Sequence, residues 1–223
     1  MYMHNLVLVT SVINTPNTPL SYCDNRSVYT REERFKQTQH TLNTIRKSIP
    51  NCIIFLVECT DFTLEENDYL QSNCDYILNL WDQKHLHPNI FGLSKALGEG
   101  TMTIHAIEYI KHNNIQFNNL FKISGRYYLD QNFEYSKYDN DKIVVRQHDP
   151  SNVITCLYKL PFQYVEYFSK FMLSKKEGME QCLAYETLFD SFIKSIPSND
   201  VIFNDVMGVQ GLCAVTRMQL FQF

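Results

Sequence analysis

The stretch LVLVTSVI, residues 6–13, decides the fold of this chain. It is an almost unbroken run of apolar and β-branched residues, which is typical of a strand buried on both faces of a parallel sheet. No lysine or arginine leads into the run, and Asn14, Thr15 and Pro16 follow it in place of a small-residue cleavage site. The pattern therefore predicts a first strand and not a signal peptide.

The composition is that of an ordinary globular protein. The 223 residues are 44% hydrophobic and 20% charged, which predicts one domain, spanning 1–223, with a single core. A formal charge of −4 at pH 7 gives no overall attraction to nucleic acid, so any anion site must be built from a few local cations. Seven cysteines without a CxxC pair predict free thiols in a reducing, cytoplasmic setting. No apolar run approaches the roughly 20 residues of a transmembrane segment.

Strands and helices alternate through the first half of the sequence. Thr30 and Glu33 form a capping box, and apolar residues at helical spacing continue to Ser48. The loop before this helix, residues 14–29, directly follows the first strand, where open α/β sheets bind their ligands. The other elements predicted in this half are strands at 52–57 and 76–80, a short helix at 64–70, and a helix capped by Ser94 that continues through Ile110.

The second half departs from this alternation. A fourth strand begins at residue 121, further strands are predicted at 142–147 and 153–160, helices at 162–173 and 179–196, and one or two strands within 201–215. We therefore expect an α/β fold with a Rossmann-like, doubly wound mixed sheet, helices on both faces and a helical C-terminal part.

Two local patterns bear on possible sites. His85 and His87 are two positions apart and would point to opposite sides of an extended segment, so a shared metal is disfavoured and exposed loop histidines are expected. Gly98 and Gly100 lie inside a predicted helix, where each is unfavourable by about 1 kcal/mol relative to alanine. A packed strand or a substrate is expected to approach the helix closely there.

The stretch FKISGRYYLD, residues 121–130, begins as the fourth strand and then changes character. Ser124, Gly125 and Arg126 place a hydroxyl, a backbone without Cβ and a guanidinium at its tip, and two tyrosines follow. A strand that needed only to be buried would not carry these residues. The alternative is a strand that ends in a glycine bend, with its tyrosines packed on a neighbour.

Four common catalytic motifs are missing from the sequence. No GxGxxG follows the first strand and no GxxxxGK[ST] occurs, which argues against dinucleotide oxidoreductases and P-loop nucleotidases. The sequence also lacks a GxSxG elbow and an HExxH motif.

The remaining signals resemble a family. TSV at the first strand tip, SVYTREERFKQT at the first helix, IPNCIIFLVE at the second strand and FKISGRYYL in mid-chain look like a small glycosyltransferase of the GT-A type. The resemblance covers roughly residues 5–190 and is in particular to the compact sugar transferases of large DNA viruses and of bacterial surface-polysaccharide clusters. It implies a GT-A-like sheet, a nucleotide-sugar donor, a glycan or small-molecule acceptor, and hexosyl- or pentosyltransferase activity.

The resemblance also implies roles for residues of this sequence. Thr10, Ser11, Val12 and Glu58 would line the nucleotide, Lys95 would approach its diphosphate, and the fourth strand would supply Lys122, Ser124, Gly125, Arg126, Tyr127 and Tyr128. Arg31 or Arg34 would lie near the nucleotide, or else both are solvated helix charges. Glu58 alternatively ends its strand in solvent.

Most GT-A enzymes hold a divalent metal with a DxD motif at this strand tip, and the present chain has SGRYYLD. Arg126 and the tyrosines could stabilise the diphosphate in place of a metal. Asp130 is the one nearby acid that could still ligate Mg or Mn.

An inverting transferase needs a general base. Glu186 is the first candidate because its apolar neighbours in AYETLF would raise its pKa, and Asp149 and Glu180 are the alternatives. Glu186 could equally be an ion-pair partner or an exposed helix charge. Two other functions remain open: a nucleotidyltransferase, and a non-catalytic nucleotide- or sugar-binding domain.

Overall fold

A seven-stranded mixed sheet forms the centre of the computed structural model, which describes residues 4–216 and 219–223. The strands are β1 (Asn5–Ser11), β2 (Cys52–Glu58), β3 (Tyr76–Asn79), β4 (Asn119–Ser124), β5 (Tyr127–Leu129), β6 (Ile143–Val145), β7 (Gln147–Asp149), β8 (Asn152–Val153), β9 (Leu157–Pro161), β10 (Val201–Phe203), β11 (Val209–Leu212) and β12 (Leu220–Gln222). The helices are α1 (Arg31–Ser48), α2 (Leu64–Asn73), α3 (His87–Phe91), α4 (Lys95–His112), α5 (Phe162–Ser174), α6 (Lys176–Glu180) and α7 (Tyr185–Lys194).

The order across the central sheet is β10-β6-β9-β4-β1-β2-β3. The four strands β3, β2, β1 and β4 are parallel, as the first half of the sequence predicts. β9 is antiparallel to both β4 and β6. This arrangement confirms the predicted α/β class with a mixed sheet.

Both faces of β1 are buried, which confirms the interpretation of its apolar run. Leu6 and Leu8 belong to a core on one face of the sheet, together with residues of α4, α5 and α7. Val7 and Val9 belong to a second core on the other face, together with residues of α1. Helices therefore cover the sheet from both sides, and the carboxyl ends of β1 and β4 meet at one edge.

The predicted helix caps are present. The Thr30 hydroxyl accepts a hydrogen bond from the Glu33 amide at 3.2 Å, and the Glu33 carboxylate accepts one from the Thr30 amide at 2.7 Å. The Ser94 hydroxyl caps α4 by accepting from the Leu97 amide. These contacts fix where α1 and α4 start, next to the strand ends.

Three predicted elements are wrong in their extent. The strand at 142–147 divides into β6 and β7, and the one at 153–160 into β8 and β9, because β6 and β9 belong to the central sheet whereas β7 and β8 pair with each other in a separate two-stranded sheet. The helix at 179–196 divides into α6 and α7. Cys182 between them has φ of 64°, a left-handed conformation that a helix cannot contain.

Other local predictions also need correction. His85 is exposed as expected, but His87 is partly buried in α3 and its Nε2 lies 2.9 Å from the Trp81 carbonyl oxygen. A Cβ at Gly98 would lie 2.8 Å from the Ile90 carbonyl oxygen, and one at Gly100 would lie 2.5 Å from the Met179 sulfur. The close neighbours of these glycines are thus α3 and α6 rather than a strand.

A second, three-stranded sheet has the order β12-β11-β5. The two closing strands expected within 201–215 are β10 and β11, whereas β12 lies beyond the predicted range. Because β5 pairs with β11, the tyrosine-bearing segment leaves the central sheet immediately after the tip of β4. No helix in the described part of the chain is long and apolar enough to cross a membrane.

Candidate active site

Two adjoining cavities lie at the carboxyl edge of the parallel strands. The first, here the strand-tip cavity, measures about 130 Å³ and is lined by Thr10, Ser11, Val12, Thr15, Leu20, Tyr22, Arg26, Arg34, Ile90, Phe91, Lys95, Gly98, Glu99, Met102, Ser124, Gly125, Arg126 and Ala214. The second, here the side cavity, measures about 240 Å³ and is lined by Ser21, Tyr22, Ser94, Lys95, Ala96, Glu99, Cys182, Leu183, Ala184, Tyr185 and Glu186. Each is several times the roughly 30 Å³ of one water molecule, so each can hold a ligand group. Tyr22, Lys95 and Glu99 line both.

The tips of β1 and β4 are locked together at the floor of the strand-tip cavity. The Gly125 amide donates to the Thr10 carbonyl oxygen at 2.8 Å, and a Cβ at Gly125 would lie 2.7 Å from the Ser11 Cβ. The Thr38 hydroxyl of α1 donates to the Gly125 carbonyl oxygen and hydrogen-bonds the Ser11 hydroxyl at 3.0 Å. Glycine is required at position 125 because the ends of these two neighbouring parallel strands lie too close together for a side chain there.

Arg126 extends from the tip of β4 into the strand-tip cavity. Its Nη1 donates to the Leu212 carbonyl oxygen at 2.9 Å, and this bond ties the guanidinium to β11. No carboxylate of the described chain lies within ion-pairing distance of it. The remaining N–H groups of Arg126 are therefore available to a ligand in the cavity.

Arg34 of α1 is the second guanidinium of this cavity, and it is 93% buried. Its Nε donates to the Val12 carbonyl oxygen at 2.6 Å and its Nη1 to the Ser27 hydroxyl at 3.4 Å. Burial and repulsion from Arg126 lower the pKa of Arg34 to about 9. Within residues 4–216 and 219–223, no Asp or Glu forms an ion pair with it. The carboxylate of Glu58 attracts Arg34 only from beyond ion-pairing distance. A buried charge without a direct partner is costly, and an anionic ligand would supply one.

Arg31, the other arginine considered for the nucleotide, has a different role. It forms a bidentate pair with Glu66 of α2, with nitrogen–oxygen distances of 2.7 and 2.6 Å. Its guanidinium also lies 3.5 Å from the Asp61 carboxylate. Arg31 therefore joins two helices and does not line either cavity.

Lys122 and Glu99 form an ion pair between β4 and α4, below the two cavities. The Lys122 side chain is fully buried, and its ammonium donates to the Glu99 carboxylate, to the Ser124 hydroxyl at 2.9 Å and to the Thr155 carbonyl oxygen at 3.0 Å. Burial disfavours the charged form of Glu99, but attraction from Lys122 and Lys95 outweighs it, so the pKa of Glu99 is lowered. Lys122 is thus engaged inside the protein, and it positions Glu99 and Ser124.

Lys95 begins α4 at the boundary between the two cavities. Removal from water disfavours its ammonium form, but the carboxylates of Glu186 and Glu99 offset this, and the pKa of Lys95 is raised. It is consequently protonated at neutral pH. The ammonium group of Lys95 therefore adds positive charge to both cavities.

Glu186 lies in the first turn of α7 and lines the side cavity. Its Oε1 accepts a hydrogen bond from the Thr155 hydroxyl at 3.1 Å. The carbonyl oxygen of the same threonine accepts from Lys122, so one residue connects the buried ion pair to Glu186. A carboxylate that is oriented in this way, in a cavity next to cations, can accept a proton from a bound hydroxyl.

Glu58 supports the loop after β1 and lines neither cavity. The residue is fully buried, and its Oε1 accepts from the Ile13 amide at 3.2 Å, the Cys59 amide at 2.9 Å and the Thr60 hydroxyl at 2.8 Å. Burial raises the pKa of its carboxyl group despite these bonds. The structure thus places it behind the first strand tip, where it fixes the backbone.

Four other candidates from the sequence lie away from both cavities. Tyr127 packs on the Phe223 ring, and burial raises its pKa to about 12. The Tyr128 ring lies 4.2 Å from the His40 ring, edge to face. Asp149 closes the turn between β7 and β8, and Asp130 accepts from the Asn132 amide at 2.8 Å in a turn after β5. None of the four lines either cavity, although the Tyr127 ring centre lies 5.8 Å from the guanidinium carbon of Arg126.

The side chains at the tip of β4 do not suit a divalent metal ion. Mg²⁺ and similar hard cations require several oxygen ligands, above all carboxylates. Of the described residues that line the strand-tip cavity, Glu99 alone carries a carboxylate, and it is paired with Lys122. Among the residues that the structure describes, no three His, Cys, Asp or Glu are grouped so as to hold a metal ion.

Sequence reasoning missed Tyr22 and Arg26 and gave Glu99 no role of its own. Tyr22 and Arg26 belong to the loop after β1, a position that favours ligand contact, but no periodicity distinguishes them from their neighbours. Arg26 donates to the Thr18 hydroxyl at 3.1 Å and to carbonyl oxygens of Ile90 and Gly92, so it holds the loop against α3. Glu99 lies between Gly98 and Gly100, and these two glycines were the sequence signal that could have pointed to Glu99 as a site residue.

Comparison with solved structures identifies the fold. The chain is similar to the CTP:phosphocholine cytidylyltransferase of Streptococcus pneumoniae, with a TM-score of 0.51 and 12% identity over 95% of this chain and 94% of that one. It is also similar to mouse xyloside xylosyltransferase 1, with a TM-score of 0.52 and 8% identity over 92% and 86% of the two chains. The chain has a GT-A-type fold. The glycosyltransferase GlyE of Streptococcus pneumoniae TIGR4 shares this GT-A-type fold, with a TM-score of 0.52 and 8% identity over 92% of this chain and 46% of that one.

No family model matches the sequence, and no curated protein matches it either. At 8–12% identity the structural likeness concerns the fold. In this GT-A-type fold the strand-tip cavity lies where β1 and β4 end side by side, the position at which open α/β sheets bind ligands.

Proposed function

We propose that this protein is a glycosyltransferase that moves a sugar from a nucleotide-sugar donor to a hydroxyl of a glycan or small-molecule acceptor. One observation carries the proposal: Arg34, 93% buried, lines the same cavity as Arg126, and neither has a carboxylate partner in the described chain. An anion in this cavity would relieve the repulsion between the two guanidinium groups. The diphosphate of a nucleotide sugar has the charge and the oxygen geometry for bidentate contacts with both.

In the proposed reaction, the acceptor hydroxyl oxygen forms a bond to the anomeric carbon, and the bond between that carbon and the diphosphate oxygen breaks. The bonding electron pair leaves with the diphosphate, so negative charge grows on its terminal oxygen. Arg126, Arg34 and Lys95 supply cations around the strand-tip cavity to stabilise this charge. Removing one such donor typically costs about 3 kcal/mol of transition-state stabilisation, or roughly a hundredfold in rate.

The acceptor would occupy the side cavity, where Glu186 is the candidate base. In an inverting reaction its carboxylate accepts the proton that leaves the attacking hydroxyl. The Thr155 hydroxyl orients this carboxylate, and Lys95 lies between it and the strand-tip cavity. Proton acceptance and leaving-group stabilisation would then occur on opposite sides of one lysine.

A thermal-shift panel tests the proposal. The purified chain is titrated with UDP-, GDP-, CMP- and dTDP-sugars, covering hexoses and pentoses, each with EDTA, Mg²⁺ or Mn²⁺. A ligand at 100 times its Kd stabilises the folded state by about 2.7 kcal/mol, which gives a readily measured rise in Tm. The best donor is then incubated with acceptor sugars, and the products are identified by mass spectrometry.

The panel also includes CTP and UTP with sugar phosphates or phosphocholine. Formation of a nucleotide-linked product from these substrates would assign the chain to the nucleotidyltransferases instead. If no nucleotide sugar raises Tm, the proposed function is rejected. Binding without turnover of any donor would favour a non-catalytic nucleotide- or sugar-binding domain.

A further inference from the structure

The charges around the strand-tip cavity are unusually one-sided. Arg34, Arg126, Arg26 and Lys95 all line it, and Glu99 is the single acidic residue in the described part of its lining. The ammonium of the buried Lys122 neutralises that carboxylate from below. The excess positive charge in the cavity is therefore not balanced by any acid that lines it.

A metal ion would add to this positive charge rather than relieve it. Two oxygen atoms at the tip of β4 already accept hydrogen bonds: the Ser124 hydroxyl from Lys122, and the Thr10 carbonyl oxygen from the Gly125 amide. Asp130, the nearest acid in sequence, caps its own turn through the Asn132 amide and does not line the cavity. A divalent cation would thus meet guanidinium groups where it needs oxygen ligands.

The guanidinium groups are held in place without a ligand. Arg126 is tied to the Leu212 carbonyl oxygen of β11, and Arg34 to the Val12 carbonyl oxygen at the end of β1. Both anchors are backbone carbonyl oxygens at or next to strand ends, so less side-chain entropy remains to be lost when an anion binds. The two guanidinium groups thus form a preorganised cationic site, and they supply the positive charge that a bound metal ion would otherwise supply.

We propose that the strand-tip cavity binds the diphosphate group directly through Arg34, Arg126 and Lys95, and that no divalent metal ion takes part in this binding. The inference rests on the proposed function only in naming a nucleotide diphosphate as the natural occupant. The cavity itself is a site for a diphosphate anion, whatever organic group the anion carries.

Isothermal titration calorimetry with inorganic pyrophosphate and with nucleoside diphosphates tests the inference. Titrations are run on the full chain in 1 mM EDTA and again in Mn²⁺ or Mg²⁺, at fixed ionic strength. We expect pyrophosphate to bind in EDTA at least as tightly as in Mn²⁺ or Mg²⁺, because these ions complex pyrophosphate in solution and compete with the site for it. Binding that requires a divalent ion, or no binding under either condition, overturns the proposal.

A pair of variants locates the site. Arg126→Ala should raise the pyrophosphate Kd at least tenfold in EDTA, since a charge-assisted bidentate contact is worth about 1.5–3 kcal/mol. Arg46→Ala is the matched control, because Arg46 lies on α1, is exposed and pairs with Asp75 away from both cavities. Its Kd should stay within about twofold of the parent value. Equal affinities of the two variants would overturn the assignment of the site.

The two proposals can fail separately. If pyrophosphate binds in EDTA and Arg126→Ala abolishes the binding, but no nucleotide sugar is bound or turned over, the anion site stands and the glycosyltransferase function falls. If sugar transfer is found but both it and pyrophosphate binding depend on Mn²⁺, the function stands and the metal-free site falls. Circular dichroism and the Tm of each variant verify that it is folded.

Discussion

The ammonium of Lys122 donates to the carboxylate of Glu99, and this ion pair joins the central sheet to α4 beneath both cavities. The Lys122 side chain is completely buried, and the Glu99 side chain is 13% exposed. Three acceptors surround the lysine, so its charge is satisfied within the protein. The pair holds the amino-terminal part of α4, with Lys95, against the tip of β4.

Lys122→Met should lower the free energy of unfolding by about 3 kcal/mol or more, because it leaves the buried carboxylate of Glu99 without its main partner. Urea denaturation at pH 7 measures the change. Lys111→Met is the control, since Lys111 pairs with Glu166 at the surface and its loss should cost about 1 kcal/mol or less. The double variant Lys122→Met/Glu99→Met should recover part of the stability. A loss for Lys122→Met no greater than for Lys111→Met would contradict the structural role of the pair.

Gly125→Ala should destabilise the protein by about 1–3 kcal/mol, because the new Cβ would lie 2.7 Å from the Ser11 Cβ and 3.2 Å from the Thr10 carbonyl oxygen. The double variant Gly125→Ala/Ser11→Gly removes one of these clashes and should restore some stability. Gly178→Ala serves as a control, since the nearest atom there is a flexible Leu183 methyl at 3.1 Å. Unfolding midpoints in urea give the comparison. Equal midpoints for Gly125→Ala and Gly178→Ala would show that the strand tips have more space than the structure indicates.

Glu186→Gln should reduce sugar transfer by about 10²–10⁴-fold if Glu186 is the general base, while the Kd for the donor changes little. The amide keeps the size of the side chain but cannot accept the proton. Glu180→Gln is the matched control: Glu180 is exposed, pairs with Lys176 at 3.6 Å and lines neither cavity. Steady-state rates and donor titrations distinguish the two variants. A Glu186→Gln enzyme with parental turnover would reject the role of this residue.

Asp149→Asn should weaken the dependence of stability on acidic pH. Hydrogen bonds from the Asn152 side chain and from the amide and hydroxyl of Ser151 lower the pKa of Asp149 to about 2. Since the folded-state pKa lies below the unfolded-state value of about 3.9, this stabilisation is present above pH 4 and is lost as pH falls towards 2. Urea midpoints between pH 2.5 and 6 should therefore fall less steeply for Asp149→Asn than for the parent. A control variant is Asp68→Asn, because Asp68 is exposed and no hydrogen bond to its carboxylate is found in the described chain.

Parallel pH curves for the parent and Asp149→Asn would show that the turn does not contribute to acid stability. Such a result would leave the sugar-transfer proposal untouched, because Asp149 lines neither cavity. The variant also tests the alternative base, since unchanged transfer by Asp149→Asn is the expected outcome.

Much of the fold could be predicted because its signals are local. The apolar run of β1 and the capping box of Thr30 and Glu33 each act within a few residues, and both were confirmed. The errors arose where distant contacts override local preference. Residues 179–196 read as one amphipathic helix, but Cys182 at φ 64° separates α6, whose Met179 packs on Gly100, from α7.

The candidate site was predictable to a smaller extent. Strand order places Ser11 and Arg126 at one edge of the sheet, as the resemblance to GT-A enzymes implied. Tyr127 and Tyr128 were expected there too, but β5 pairs with β11 and takes them into a second sheet. Nothing in the spacing of Arg31 and Arg34 showed which of them would be buried at the cavity and which would join two helices.

The sequence by itself determined the layers of this protein and the cationic chemistry of its fourth strand, because burial, capping and strand pattern depend on neighbouring residues. Only the tertiary structure decided that Lys122 turns inward to Glu99, that Arg34 is buried without an ion pair among the described residues, and that Lys95 lines both cavities. These facts depend on the close approach of elements far apart in the chain. Electrostatic and steric contacts between such elements leave no periodic signal in the sequence.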